Sequence, residues 1–217
     1  MNRPYVLVNC AMSVDGKIGL PWRKQYRFSS DDDMKRVYHL RHQYDAVLVG
    51  SGTVLADDPK LTVKEKYVTN PKQPLRVVLD SRCRVPQDAL VVNDAAPTLL
   101  ISRPDCTYAY RKAHVDMISC DTLTDGLLDI EEVLQTLFAK GIKKLLVEGG
   151  GQVIWSFLNQ QLVDKLSVYI APVIIGGDKT PTMADGDGIK KIDEIINLTL
   201  ISSKQMNNGL LLHYSIS

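Results

Sequence analysis

Short apolar runs alternate along the chain with segments whose apolar residues recur at helical spacing. Residues 5–10 (YVLVNC) form a β-rich run, and the polar Ser13-Val14-Asp15-Gly16-Lys17 stretch that follows reads as the end of a strand. Ser29-Ser30 before Asp31-Asp32-Asp33 reads as a hydroxyl cap and an acidic first turn, leading to a helix with Met34, Val37, Tyr38 and Leu40 on one face. Residues 45–50 and 75–80 are short buried strands, and 98–102 and 114–119 carry the same pattern less clearly. Asp129 opens a helix with Glu131 and Glu132 in its first turn and Val133, Leu134, Leu137 and Phe138 as its apolar stripe, which Gly141 stops. A strand at 144–147 runs into a glycine loop, a helix spans roughly 152–160, and a further strand covers 166–171. The last two strands, near 198–204 and 210–216, flank Asn207-Asn208-Gly209, a tight-hairpin signal.

Strands alternating with helices predict an α/β fold with a mostly parallel central sheet, helices on both faces and a C-terminal antiparallel hairpin. No repeat, low-complexity tract or long linker divides the sequence, so a single domain over residues 1–217 is expected. At this length the chain can bury roughly 70% of its unfolded surface without a staple.

A net charge of +1 removes the main reason to expect nucleic acid, which needs a surplus of basic residues. No run approaches the ~20 apolar residues of a spanning helix and no signal peptide is evident, so no membrane partner and a cytoplasmic location are expected. Cys10, Cys83, Cys106 and Cys120 form no CxxC pair and are expected as reduced, mostly packed thiols. His39 and His42 lack an acidic or thiol companion, and His114 and His213 stand alone, so no metal is expected.

In open α/β sheets ligands bind beyond the carboxyl ends of the strands, and three such ends collect glycine, hydroxyl and acidic residues. In Glu148-Gly149-Gly150-Gly151-Gln152-Val153, three glycines between a strand and a helix expose backbone N–H groups suited to a pyrophosphate. Gly50-Ser51-Gly52-Thr53 lacks the third glycine of a dinucleotide fingerprint and serves better as a second strand-to-helix turn, with Thr53 offering a hydroxyl. Asp57-Asp58-Pro59 follows, where Asp57 is as compatible with a turn as with a functional acid. In Asp80-Ser81-Arg82-Cys83-Arg84 an acid suits the ribose hydroxyl of NAD while Ser plus Arg suits the 2′-phosphate of NADP, so the pattern leaves both open.

Six motifs in order, Ser13-Val14-Asp15-Gly16-Lys17, the run from Gly52 to Val63, Pro74-Leu75-Arg76-Val77-Val78-Leu79-Asp80-Ser81, Val147-Glu148-Gly149-Gly150-Gly151, Leu162-Val163-Asp164 through Tyr169-Ile170-Ala171-Pro172, and Gly176-Gly177, resemble the riboflavin-biosynthesis reductase family, the RibD C-terminal type, across essentially the whole chain. The resemblance implies a fold similar to dihydrofolate reductase and an NADPH-dependent reduction of a ribosylamino-pyrimidine 5′-phosphate, with NADH as the lesser alternative. No deaminase segment with zinc-ligand spacing precedes the motifs, so the stand-alone archaeal and fungal type is expected, acting on 2,5-diamino-6-(5-phosphoribosylamino)pyrimidin-4(3H)-one.

Carried over by position, Thr53 and Asp57 contact the cofactor, with Ala11 near the nicotinamide. Leu79, Asp80, Ser81 and Arg82 lie by the adenosine ribose and its 2′-phosphate, and Gly149, Gly150, Gly151, Gln152 and Val153 hold the pyrophosphate. Arg41, Leu61, Lys64 and Glu148 face the substrate, Arg41 and Lys64 its 5′-phosphate. Asp57 is the candidate acid. The resemblance also implies a homodimer, for which the strand at 166–170 and the closing hairpin offer an interface. Two other readings remain: a reductase of a pterin-like or folate-like heterocycle on the same fold, and a non-catalytic nucleotide-binding module.

Overall fold

The computed structural model describes residues 2–22, 26–124 and 126–216. Its elements run β1 (Tyr5–Ser13), α1 (Asp31–Gln43), β2 (Ala46–Gly50), α2 (Ser51–Asp57), β3 (Leu75–Leu79), β4 (Thr98–Ser102), β5 (Val115–Ser119), α3 (Ile130–Ala139), β6 (Lys144–Gly149), α4 (Gly151–Asn159), β7 (Lys165–Ala171), β8 (Leu198–Met206) and β9 (Gly209–Ile216). The fold is mixed α/β, mostly parallel, and closes on an antiparallel hairpin, as the pattern predicts. The chain forms two compact units, one holding the residues up to Tyr5 with Tyr38–Leu146, the other Val6–Val37 with the residues from Val147 onward.

In the first unit, β5, β4, β3 and β2 lie side by side in parallel, with Ala46 opposite Leu75, Arg76 opposite Thr98 and Thr98 opposite Val115. Every residue of β2 is buried, which is why its sequence is a continuous apolar run rather than an alternating one. Burial of each such Val or Leu contributes roughly 1.5–3 kcal/mol. The carboxylate of Asp45, just before β2, accepts the N–H groups of Lys143 and Lys144 at 3.0 Å each and ties the entry of β6 to this unit. Asp129 caps α3, accepting from Glu131 N–H at 2.9 Å. The buried stripe of α3 is Ile130, Val133, Leu134 and Leu137. Phe138 differs from expectation: it is only partly buried and sits under Lys143 Nζ, 3.6 Å from the ring centroid.

In the second unit, β1 pairs with β7 in parallel, Leu7 opposite Lys165, and β7 pairs antiparallel with β9, which pairs with β8. Asp164 fixes the β1 register, accepting Val6 N–H on its carboxylate while its own N–H donates to the Val6 carbonyl. At the hairpin turn Asn207 takes φ 51°, which the Asn-Gly signal anticipates. The strand expected to offer an interface does not. β7 is bonded on both edges, and Leu166, Val168 and Tyr169 are buried by its neighbours, whereas β8 is exposed along nearly its whole length.

The cysteines depart from expectation too. Cys83 and Cys106 are paired as a disulfide with their α-carbons 6.1 Å apart, while Cys10 and Cys120 are free and buried. The pairing escapes a spacing argument because the two residues are 23 apart in sequence. They meet because β3 and β4 are parallel neighbours and each cysteine follows the end of one of them. No described helix is long and apolar enough to cross a membrane.

Candidate active site

The sequence-predicted residues fall into two groups, one in each unit. In the first, β2 turns into α2 at Gly50, and the buried Ser51 hydroxyl accepts from Arg84 Nη2 at 2.8 Å. Thr53 is partly exposed on the first turn of α2. Asp58 takes the left-handed conformation at φ 41°, donates its N–H to the Val54 carbonyl and accepts Leu90 N–H at 2.7 Å. Asp57, the last residue of α2, has no such duty; it is partly exposed, and burial raises its carboxyl above the ordinary carboxylate range.

Beyond β3, Asp80 is fully buried. Its Oδ2 accepts Val85 N–H at 2.8 Å and the Tyr108 hydroxyl at 2.9 Å, and Arg84 Nε stands 3.8 Å from Oδ1. Burial and the adjacent carboxylate push the Tyr108 hydroxyl far up. The carboxylate holds this loop together, and Ser81, Arg82, Cys83 and Arg84 are each at least partly exposed. Leu79 is nearly buried.

A third cluster joins α1 to the segment after α2. Tyr38 stacks on Tyr67 with centroids 4.6 Å apart and planes 10° from parallel, and Arg41 and Lys64 lie 5.6 and 5.5 Å from the Tyr38 centroid. Arg41 Nη1 donates to the Thr62 carbonyl at 3.2 Å. Leu61 is buried in a left-handed conformation at φ 51°, so it shapes this segment from inside.

In the second unit, β6 delivers Glu148, half-buried, then Gly149 at φ 128° and Gly150 at φ 76°, both needing glycine. A β-carbon on Gly149 would meet nothing within 4 Å, although the residue itself is buried, so room is left on that side of the main chain. Gly151, Gln152 and Val153 begin α4, and the first N–H groups of a helix have no acceptor within it. That combination fits an anionic diphosphate. Ala11, on β1, is partly exposed.

Residues that pattern reading missed hold this loop. Asp185 N–H donates to the Gly151 carbonyl at 3.1 Å, and Asp185 Oδ1 accepts Thr182 N–H at 3.0 Å and its hydroxyl at 2.6 Å. Trp155 packs where a β-carbon on Gly186 would stand, 2.4 Å from Cδ1. The Asp-Gly-Asp-Gly run at 185–188 signals a turn but not its docking. The Ser13-to-Lys17 motif and Gly176 form one assembly, for Asp15 accepts the N–H groups of Ile175 and Gly176 at 3.1 and 2.7 Å. Among the described residues no group of three or more His, Cys, Asp or Glu is placed to hold a metal.

The 2,5-diamino-6-ribosylamino-4(3H)-pyrimidinone 5′-phosphate reductase of Archaeoglobus fulgidus is 43% identical over 197 residues, covering 87% of this chain and 90% of that protein. The protein of the same name from Methanothermobacter thermautotrophicus is 37% identical and covers 99% of each. Among solved structures, a deaminase/reductase from Thermotoga maritima matches with TM-score 0.84 at 24% identity over 99% of this chain, which spans 57% of that longer one. A riboflavin biosynthesis reductase of Saccharomyces cerevisiae matches with TM-score 0.78 at 22% identity, covering 100% of this chain and 91% of that one. The reductase architecture expected from the motifs is thus the fold observed. The RibD C-terminal domain model matches residues 4–212, and the chain belongs to that family.

Proposed function

We propose that this chain reduces 2,5-diamino-6-ribosylamino-4(3H)-pyrimidinone 5′-phosphate to its ribitylamino counterpart with NADPH. The observation that carries the reading is the pair of positive-φ glycines, Gly149 and Gly150, that leads into α4, in a chain 43% identical to a reductase of that name. A nicotinamide dinucleotide, when bound, supplies the hydride. The residues of this chain do the rest. The N–H groups of Gly151, Gln152 and Val153 receive the diphosphate, with Gly149 and Gly150 allowing close approach. Ser81 and Arg82 favour a 2′-phosphate, hence NADPH over NADH, through charge-assisted bonds. By position in the family motifs, Thr53 of the first unit and Ala11 of the second are assigned to the cofactor, and Leu61 of the first and Glu148 of the second to the substrate.

The sugar must first open. Its C1′–O4′ bond breaks as the exocyclic nitrogen lone pair forms a protonated imine, and O4′ gains a proton. Hydride then reaches C1′, and the nitrogen recovers its lone pair. Asp57, whose carboxyl holds its proton to higher pH because of burial, suits the delivery of the O4′ proton. Arg41 and Lys64 hold the 5′-phosphate, and holding the reacting carbons together supplies most of what hydride transfer needs. The exposed edge strand β8, with Leu200 and Ile201 more than half exposed, supports the expected homodimer.

The decisive assay adds the amino substrate or its deaminated form, each with NADPH or NADH. Fastest cofactor oxidation with the amino substrate and NADPH is expected. Oxidation with neither substrate would overturn the reading.

A further inference from the structure

Two segments of the first unit are built alike. In α1, Tyr38 and Arg41 are three residues apart; after α2, Lys64 and Tyr67 are three apart, closed by Tyr67 N–H donating to the Lys64 carbonyl at 3.0 Å. Each segment gives one tyrosine and one cation. The rings stack, and both cations lie within 5.6 Å of the Tyr38 centroid. Lys66 Nζ stands 5.3 Å from the Tyr67 centroid, so a third cation flanks the pair. Gln73 fixes the second segment, accepting Val63 N–H at 2.8 Å and donating to its carbonyl at 2.9 Å. Tyr38 is nearly buried and so cannot turn away from this arrangement.

Two cations that must serve one dianion repel each other while the dianion is absent. An aromatic face attracts a cation through its quadrupole without adding negative charge. We infer that the stacked Tyr38–Tyr67 pair is the positioning element of the phosphate anchor, holding Arg41 and Lys64 at the spacing a phosphate monoester needs. Tyr38 and Tyr67 are thus positioning residues; this rests on the reading that Arg41 and Lys64 take the substrate's 5′-phosphate. Glu65, in the same turn, is exposed.

The test uses rings of equal shape and opposite quadrupole. Tyr38→Phe keeps the negative face, whereas pentafluorophenylalanine at position 38 reverses it. With the full-length enzyme and NADPH, Tyr38→Phe is the ring reference against which the fluorinated variant is read. The fluorinated variant is expected to raise KM for the phosphorylated substrate roughly three- to tenfold, with kcat within about twofold and NADPH Kd unchanged. Its KM for the dephosphorylated ribosylamino-pyrimidine should not move. Tyr67→Leu, at the more accessible ring, should show the same selective rise. Equal KM changes for both substrate forms, or none, in the fluorinated variant and Tyr67→Leu would overturn the positioning role. Lys64→Ala and Arg41→Ala, run in parallel, separate the two claims. If they raise KM for the phosphorylated form and the ring variants do not, the tyrosine role alone falls; if none moves it, the phosphate assignment falls with it.

Discussion

Gly151 faces Asp185 so closely that a β-carbon on the glycine would stand 2.6 Å from Asp185 Oδ2, and 2.3 Å from the Thr182 carbonyl oxygen. The first neighbour is a side chain that could turn aside. The second is backbone, and Asp185 N–H already donates to the Gly151 carbonyl, so loop and helix start are fastened together. Gly151→Ala must therefore push the 182–185 segment off α4. A loss of roughly 1–3 kcal/mol is expected from overpacking, with weakened NADPH binding, read by thermal melts and by fluorescence titration. Removing the Asp185 side chain as well should not restore stability, because the carbonyl clash remains; full recovery in the double variant would show that the backbone contact is not limiting.

Gly149 fails differently. A β-carbon there meets nothing, yet φ 128° is a conformation that side chains rarely adopt. Gly149→Ala should cost on the order of 1–3 kcal/mol by strain alone. The two substitutions separate by amide hydrogen exchange in residues 182–185, which Gly151→Ala should speed and Gly149→Ala should leave unchanged.

Asp57→Asn keeps the shape of the side chain and removes its exchangeable acid proton. If Asp57 protonates the departing O4′, kcat should fall by roughly 10²–10⁴, with NADPH Kd changed little. Steady-state rates beside NADPH titration decide this; near-parental kcat would leave Asp57 a binding residue.

Arg76, the second residue of β3, is buried completely, and its guanidinium donates to the carbonyls of Leu90, Asn93 and Ala96 and to Asn93 Oδ1. Burial pulls it down to about 10, partly offset by Asp94. Only a planar fork reaches all these acceptors at once, so Arg76→Lys keeps the charge and loses most of the bonds. Urea unfolding should show a loss of about 3 kcal/mol or more. A loss under about 1 kcal/mol would mean that the segment around Asn93 is held by other contacts.

How far such features can be read from sequence differs by the distance over which they are determined. β2 and β6 are legible because a strand buried on both faces must be continuously apolar, and the α3 start is legible because Asp129 caps its own neighbours. The surroundings of Asp80 are not legible in the pattern because they depend on Tyr108, beyond the next strand. The Cys83–Cys106 pair and the Tyr38–Tyr67 stack are likewise products of which segments the fold brings together. The glycine loop is legible as a phosphate cradle, but the Thr182 and Asp185 support is not, since a turn signal does not say what the turn rests on.

Asp15 makes the loop assembly of the second unit sensitive to acid. Hydrogen bonding with Ser13 and the N–H groups of Ile175 and Gly176 lowers its carboxyl to about 2 from 3.8. Because the folded-state value is the depressed one, the contribution is fully present above pH ~4, declines as pH falls below that, and is gone below about pH 2. Asp15→Asn keeps one acceptor and removes the titration. Melting temperatures measured from pH 5 to pH 2 should therefore fall more steeply for the parent than for Asp15→Asn, with the two curves converging at the acid end. The variant should be the less stable of the two near neutrality. Parallel curves across the range would show that the Ile175 and Gly176 bonds hold this loop no better charged than neutral.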